Sequence, residues 1–172
     1  MKYLFPFFVA LIYLTFAFAS STDPLPNLQQ PRYNLFTSGQ PTPEGFRIIA
    51  QTGVMTVVNV LPTRECLVNE EGMVRANKMI YHHFPFETTG FKRETFEQFA
   101  QTLTKAKKPI LIHCLTGNHV GGLWFGYRVL IDKASLAVAL KEARMIGMKP
   151  ELEDAMFNWL ASRFTSRQQS GK

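Results

Sequence analysis

The chain reads as an α/β domain with a mainly parallel central sheet flanked by helices. Three observations predict it. Short apolar or β-branched runs at residues 56–60, 79–84 and 110–112 alternate with longer stretches whose apolar residues recur at helical spacing. Each run is bounded by Gly, Pro or polar residues, and alternation of this kind implies parallel strands covered on both faces. The run ending at Ile112 passes into His113-Cys114-Leu115-Thr116-Gly117 and then directly into a helix, a strand–loop–helix unit with a cysteine at its turn.

Taken in order, the first nineteen residues stand apart. Lys2 gives a positive start, residues 3–18 are apolar apart from Thr15, and Ala17-Phe18-Ala19 is a small-residue cleavage box. We expect a secretory signal peptide over 1–19 with Ser20 as the mature terminus; an uncleaved anchor is the alternative, because the run approaches spanning length. Residues 20–32 have no periodicity and read as an extended leader, with the domain proper at 33–165 and a polar tail at 166–172. Residues 33–37 fit a first strand. Thr42-Pro43 caps and opens a helix that buries Phe46, Ile49 and Ala50 and stops at Gly53.

The 56–60 strand should be buried, given its β-branched content. A polar loop holding Cys66 covers 62–72, a short helix 73–78, and a strand 79–84 that Pro85 ends. Residues 86–91 form a loop containing Glu87 and Gly90, and 92–107 a helix with Phe96, Phe99, Ala100 and Leu103 on one face. After the cysteine loop, Val120, Leu123, Trp124, Tyr127 and Ile131 carry a helix to about 131. Two more follow at 135–148 and 151–164, the last with Leu152, Ala155, Met156, Trp159 and Leu160 inward.

The 172 residues suffice for one domain with a core, with no repeats and no internal linker. The net charge of +6 describes a solvated basic surface with a weak preference for anionic ligands; no arginine run interleaved with aromatics points to nucleic acid. The two cysteines form no Cys-x-x-Cys pair, and the four histidines are scattered, so neither a metal site nor a thioredoxin-type site is expected. No cofactor is implied, and no stable membrane insertion once the signal is removed. Oligomeric state is not encoded in any feature of the sequence.

In parallel α/β folds ligands bind at the carboxyl ends of strands. Loops after Val60, after Phe84 and around Cys114 should therefore converge, bringing Cys66, Glu87 and Cys114 together. Backbone N–H groups at the start of the following helix favour an anion, and the same field stabilises a thiolate, the nucleophilic form of cysteine. The competing reading is a cysteine that fills space at the end of a core strand.

His113-Cys114 followed by a glycine loop and a helix resembles the phosphate-binding loop of cysteine-dependent phosphatases. More closely, the chain resembles a bacterial tyrosine-phosphatase-like family related to the beta-lactamase-hydrolase-like phosphatases. The resemblance runs over Ser38-Gly39-Gln40-Pro41, Val58-Asn59-Val60, Tyr81-His82-His83-Phe84-Pro85, the His113-Cys114 loop, Leu123-Trp124 and Tyr127-Arg128-Val129. It implies attack of the Cys114 thiolate on a phosphate ester, a phosphocysteine intermediate, and a phosphate cradle of His113, Leu115, Thr116, Gly117, Asn118 and Val120.

The family's loop arginine would fall at His119, or at Val120 in the commoner spacing, and neither is arginine. The strand-end arginine after Asn59 is also absent, with Leu61 and Pro62 in its place. A guanidinium grips two phosphoryl oxygens and stays charged, whereas histidine offers fewer donors and is charged only in part near neutrality. Arg64 and Arg128 are the candidates to substitute, although Arg128 fits a helix salt bridge better.

Glu87 is the candidate general acid, on the expectation that its strand lies beside the cysteine strand; a solvated loop carboxylate is the alternative. His82 and His83 alternate across a strand and suit packing, while His113 should hydrogen-bond and orient the loop backbone. Cys66 is the candidate redox partner of Cys114. Three functional readings stand: an exported phosphatase slowed by the missing arginine, a non-catalytic anion-binding or interaction module on the same fold, and a rhodanese-like sulfurtransferase. The His113-Cys114 pair and the three helices after the loop fit the sulfurtransferase less well.

Overall fold

The computed structural model describes residues 23–87 and 92–169, with side chains through residue 162. The expected signal peptide therefore lies outside the described residues, as does Gly90. Five strands form one sheet: β1 (Gln29–Arg32), β2 (Leu35–Ser38), β3 (Thr56–Asn59), β4 (Ile80–His83) and β5 (Ile110–His113). Their spatial order is β1-β2-β5-β3-β4, parallel throughout except that β1 pairs antiparallel with β2. Six helices, α1 (Pro43–Gln51), α2 (Glu70–Ala76), α3 (Arg93–Lys105), α4 (Asn118–Leu130), α5 (Leu136–Ile146) and α6 (Pro150–Gln169), complete the α/β architecture.

The strand alternation decides which helices go to which face. Val57 and Leu111 meet Phe46 and Ile49 of α1 and Val74 of α2 on one side. Val58, Ile110 and Ile112 meet Phe96 and Phe99 of α3, Leu123 and Trp124 of α4, Ala143 of α5 and Met156 of α6 on the other. With helices on both faces, every residue of β3 and β5 is buried, which is why Val57-Val58 and Ile110-Leu111-Ile112 show no polar alternation. Thr42 caps α1 as expected, accepting a hydrogen bond from Gly45 N, with Pro43 at its first turn.

Four local expectations are corrected. The stretch taken as a leader is, from Asp23 onward, built into the domain: Leu25 is buried, Pro24 O accepts from Thr42 N, Pro26 O accepts from Gly39 N, and Gln29–Arg32 is an edge strand. Four residues with a proline carry no periodicity, so this strand was invisible to pattern. The short helix starts at Glu70 rather than 73, after Asn69 in the left-handed region at φ 60°. The last helix runs to Gln169, through most of the segment taken as a polar tail. Finally, β4 is not beside β5; β3 lies between them, and the neighbours of β5 are β2 and β3. The residues just after Ser38 on β2 therefore lie at the same sheet end as the cysteine loop.

Candidate active site

Cys114 leaves the end of β5 and is almost wholly buried. Its Sγ accepts a hydrogen bond from Gly117 N at 3.2 Å. The loop between them is held by its carbonyls. Gln40 N, in the turn after β2, donates to Leu115 O at 3.2 Å. Asn27 Nδ2 donates to Thr116 O at 3.3 Å and to Ile146 O of α5 at 2.7 Å. In a planar trans peptide the C=O and the following N–H point in opposite directions. Anchoring the Leu115 and Thr116 carbonyls outward therefore turns the Thr116 and Gly117 N–H groups inward, and the bond from Gly117 to Cys114 Sγ shows the second of these in place.

Gly117 is required here. Its φ of +94° is a left-handed conformation, and a Cβ would sit 2.2 Å from Ile146 O. It is also the residue preceding α4, and no side chain caps that helix start. The first-turn N–H groups of α4 and its positive dipole end are thus available to an anion above Cys114.

Behind the loop lies a buried polar cluster that sequence reasoning missed. Glu70, at the start of α2, is 2% exposed, and its Oε1 accepts from Asn59 Nδ2 at 2.8 Å and from His113 Nε2 at 3.1 Å. Burial pushes the Glu70 carboxyl up, but His113, Tyr81 and Asn59 together hold it below the ordinary carboxylate range. Asn59 Oδ1 accepts from Leu61 N at 2.7 Å, and Tyr81 OH lies 3.1 Å from Asn59 Nδ2. Burial, and then the Glu70 charge, drive the Tyr81 hydroxyl far above its usual range. In the sequence Glu70 reads as one more carboxylate of the polar loop over 62–72, and nothing there says that it turns inward.

His113 was expected to bond the loop backbone; instead its Nε2 goes to Glu70, and its Nδ1 is buried without a partner. The backbone does the pairing, with His113 O accepting from Val60 N.

The loop after β3 meets the loop after β4, and the latter meets the first turn of α4. A 3-10 turn at Thr63–Glu65 carries Arg64, which binds Glu87 through NH1 at 2.8 Å and NH2 at 3.4 Å, and Glu65 at 3.4 Å. Phe86, next to Glu87, is fully buried and packs edge-on against the His119 ring at 5.2 Å. Glu65 and Glu87 lie near enough to His119 to draw its pKa up, but burial outweighs them and leaves it below 6.5. Val120, the other position at which the resemblance would put an arginine, is fully buried in the core.

Leu115 and Thr116 are exposed on the loop, and Asn118 Oδ1 accepts from Lys149 N at 2.8 Å. Cys66 is half-buried and free, its Sγ 3.4 Å from both Asn59 Nδ2 and His83 Nε2. Burial and the Glu70 charge raise its pKa. His83 Nε2 also lies 2.7 Å from Leu61 O, and His82 stacks on Phe84. Arg128 is committed elsewhere, to Glu142 and Asp132. Among the described residues no three metal-ligating side chains cluster, and no helix is long and apolar enough to cross a membrane.

A strand-end cysteine lies beneath inward amides and an uncapped helix start on a mainly parallel α/β fold, and solved structures share that fold. The core catalytic domain of the PP-IP phosphatase SIW14 from S. cerevisiae, solved with citrate, matches with a TM-score of 0.66 at 18% identity, over 87% of this chain and 96% of that one. TpbA from P. aeruginosa, solved with phosphotyrosine, matches at 0.62 and 20% identity, over 83% and 88%. Tk-PTP in its active form matches at 0.66 and 18%, over 80% and 98%. No family model and no curated protein matches the chain.

Proposed function

We propose that this chain is an exported cysteine-dependent phosphatase-like protein of the tyrosine or dual-specificity type, acting on phosphate esters. The observation that carries the proposal is the Cys114 loop, with its carbonyls tied outward, its sulfur bonded to Gly117 N and an uncapped helix start beside it. In the reaction the Cys114 thiolate attacks phosphorus as the ester P–O bond breaks and the alcohol leaves with a proton from a general acid, for which Glu87 is the candidate. The inward amides share the charge on the phosphoryl oxygens, and water then cleaves the S–P bond to give phosphate and the free thiolate. The solved neighbours carrying citrate and phosphotyrosine support an oxyanion ligand. Loss of a loop arginine typically costs several orders of magnitude in rate, so turnover should be slow.

The second reading, a pseudophosphatase that binds oxyanions without turnover, is favoured by a specific observation. One expected arginine position is a core valine, and the other is a histidine whose charged form burial disfavours. Hydrolysis of para-nitrophenyl phosphate by the reduced protein separates them. Activity abolished in Cys114→Ser supports the enzyme; oxyanion binding with no turnover supports the binding module. Export rests on the Lys2, apolar-run and Ala17-Phe18-Ala19 pattern, and a mature terminus at Ser20 in an extracytoplasmic fraction checks it.

A further inference from the structure

A phosphate monoester at the start of α4 brings up to two negative charges into a loop that supplies amides and no cation. Lys149 is joined to the first turn of α4 through its backbone N, which donates to Asn118 Oδ1, but it brings a single ammonium and not a guanidinium fork. The arginines can be taken in turn. Arg128 is held by Glu142 at 2.7 and 3.0 Å and by Asp132 at 3.0 Å, and also lies over Trp124. Arg32 binds the same Asp132 and stacks on the same tryptophan. Both belong to one interlocked cluster and cannot leave it cheaply.

Arg64 is different. It stands on the turn after β3, with 67% of its side chain exposed, and its partners are loop carboxylates. It is tied to the cysteine loop by a short chain of contacts: Arg64 to Glu87, Glu87 to its neighbour Phe86, and Phe86 to His119 in the first turn of α4.

We propose that Arg64 supplies the anion-gripping guanidinium the cysteine loop lacks, and that Glu87 holds it in reserve until an incoming oxyanion displaces the carboxylate. The proposal rests on the cysteine loop being an oxyanion site. A guanidinium offers the same planar fork to a carboxylate and to a phosphate, so the exchange keeps its hydrogen-bonding pattern. An exposed pair such as Arg64–Glu87 contributes little to stability, so breaking it is not a large obstacle.

The test is titration of the reduced protein with tungstate and with inorganic phosphate, read by calorimetry. Arg64→Ala should bind roughly tenfold more weakly, as expected for loss of a charged hydrogen-bonded contact. Arg47→Ala removes the same charge from α1, where Arg47 pairs only with Glu44, and should bind as the wild type does. Glu87→Gln should bind more tightly than wild type, because the competitor for Arg64 has lost its charge. Adding His119→Arg to Arg64→Ala should restore the lost affinity. An Arg64→Ala affinity equal to that of Arg47→Ala overturns the proposal, as does a Glu87→Gln affinity no tighter than wild type. Wild-type protein that binds neither anion removes the oxyanion reading itself; wild-type binding with an indifferent Arg64→Ala removes only the role of Arg64.

Discussion

Glu70 is the residue on which the support of the site turns, because it is a buried carboxylate bonded to side chains from adjacent strands, Asn59 of β3 and His113 of β5 among them. Removing it leaves the Asn59 amide and the His113 imidazole facing an empty space. Glu70→Ala should therefore destabilise the fold by about 3 kcal/mol in urea unfolding, and Glu70→Gln, which keeps an oxygen for Asn59, by less. The pH sign follows from the lowered carboxyl. A group more acidic when folded contributes stability above its unfolded pKa, near 4.5, and loses it as pH falls through the folded value. Wild type should lose stability on that acid limb more steeply than Glu70→Gln; parallel limbs would remove Glu70 as the cause.

His119 shifts the other way in effect. Its imidazole is pushed below 6.5 by burial, with Glu65 and Glu87 opposing, so it gains its proton only at more acid pH. If its charge assists an oxyanion, affinity should rise as pH drops below that value and be flat from 7 to 8. In His119→Arg the affinity should be higher and the acid rise gone. A wild-type profile without that rise would leave His119 as packing against Phe86.

At the scale of elements, the cysteine loop is a hinge-free turn clamped between the segment before β1, the turn after β2 and the end of α5. Gly117→Ala must move Ile146 O or the loop, and should cost about 2 kcal/mol or more and abolish tungstate binding. Retained binding would mean that the loop's backbone shape does not matter.

Gly121 shows the same crowding one turn on, where a Cβ would lie 2.7 Å from Ala143 O of α5. A glycine at that point of an apolar helix marks a close helix crossing only once the partner is known. This is the general pattern of what could be read in the sequence. The long amphipathic helices, the buried strands and the strand–Cys114–loop–helix unit were legible because each repeats a period or carries a turn residue. The edge strand at Gln29–Arg32, the inward turn of Glu70 and the interposed β3 were not, because each depends on a tertiary partner.

At the scale of the whole molecule, export would set the chemistry of the two cysteines. Both are free: Cys114 follows β5, and Cys66, just past the turn at Thr63–Glu65, lies against Asn59, whose register partner on β5 is His113. An oxidising compartment favours pairing of such thiols. The two differ in readiness. Cys114 Sγ accepts an amide hydrogen, whereas burial and the Glu70 charge keep the Cys66 proton on. Peroxide should therefore oxidise Cys114 first, to a sulfenic acid, and Cys66 should resolve it slowly to a disulfide. Because the resolving step needs the Cys66 thiolate, its rate should climb with pH beyond the ordinary thiol range near 9.0. Glu70→Gln, which removes the repelling charge, should speed that step at pH 8 while leaving sulfenic acid formation unchanged. Peptide mapping without reductant after peroxide treatment reads the linked peptide directly. Two unlinked cysteines in folded, peroxide-treated protein would mean that the thiols are kept apart, and that Cys66 is a packing residue.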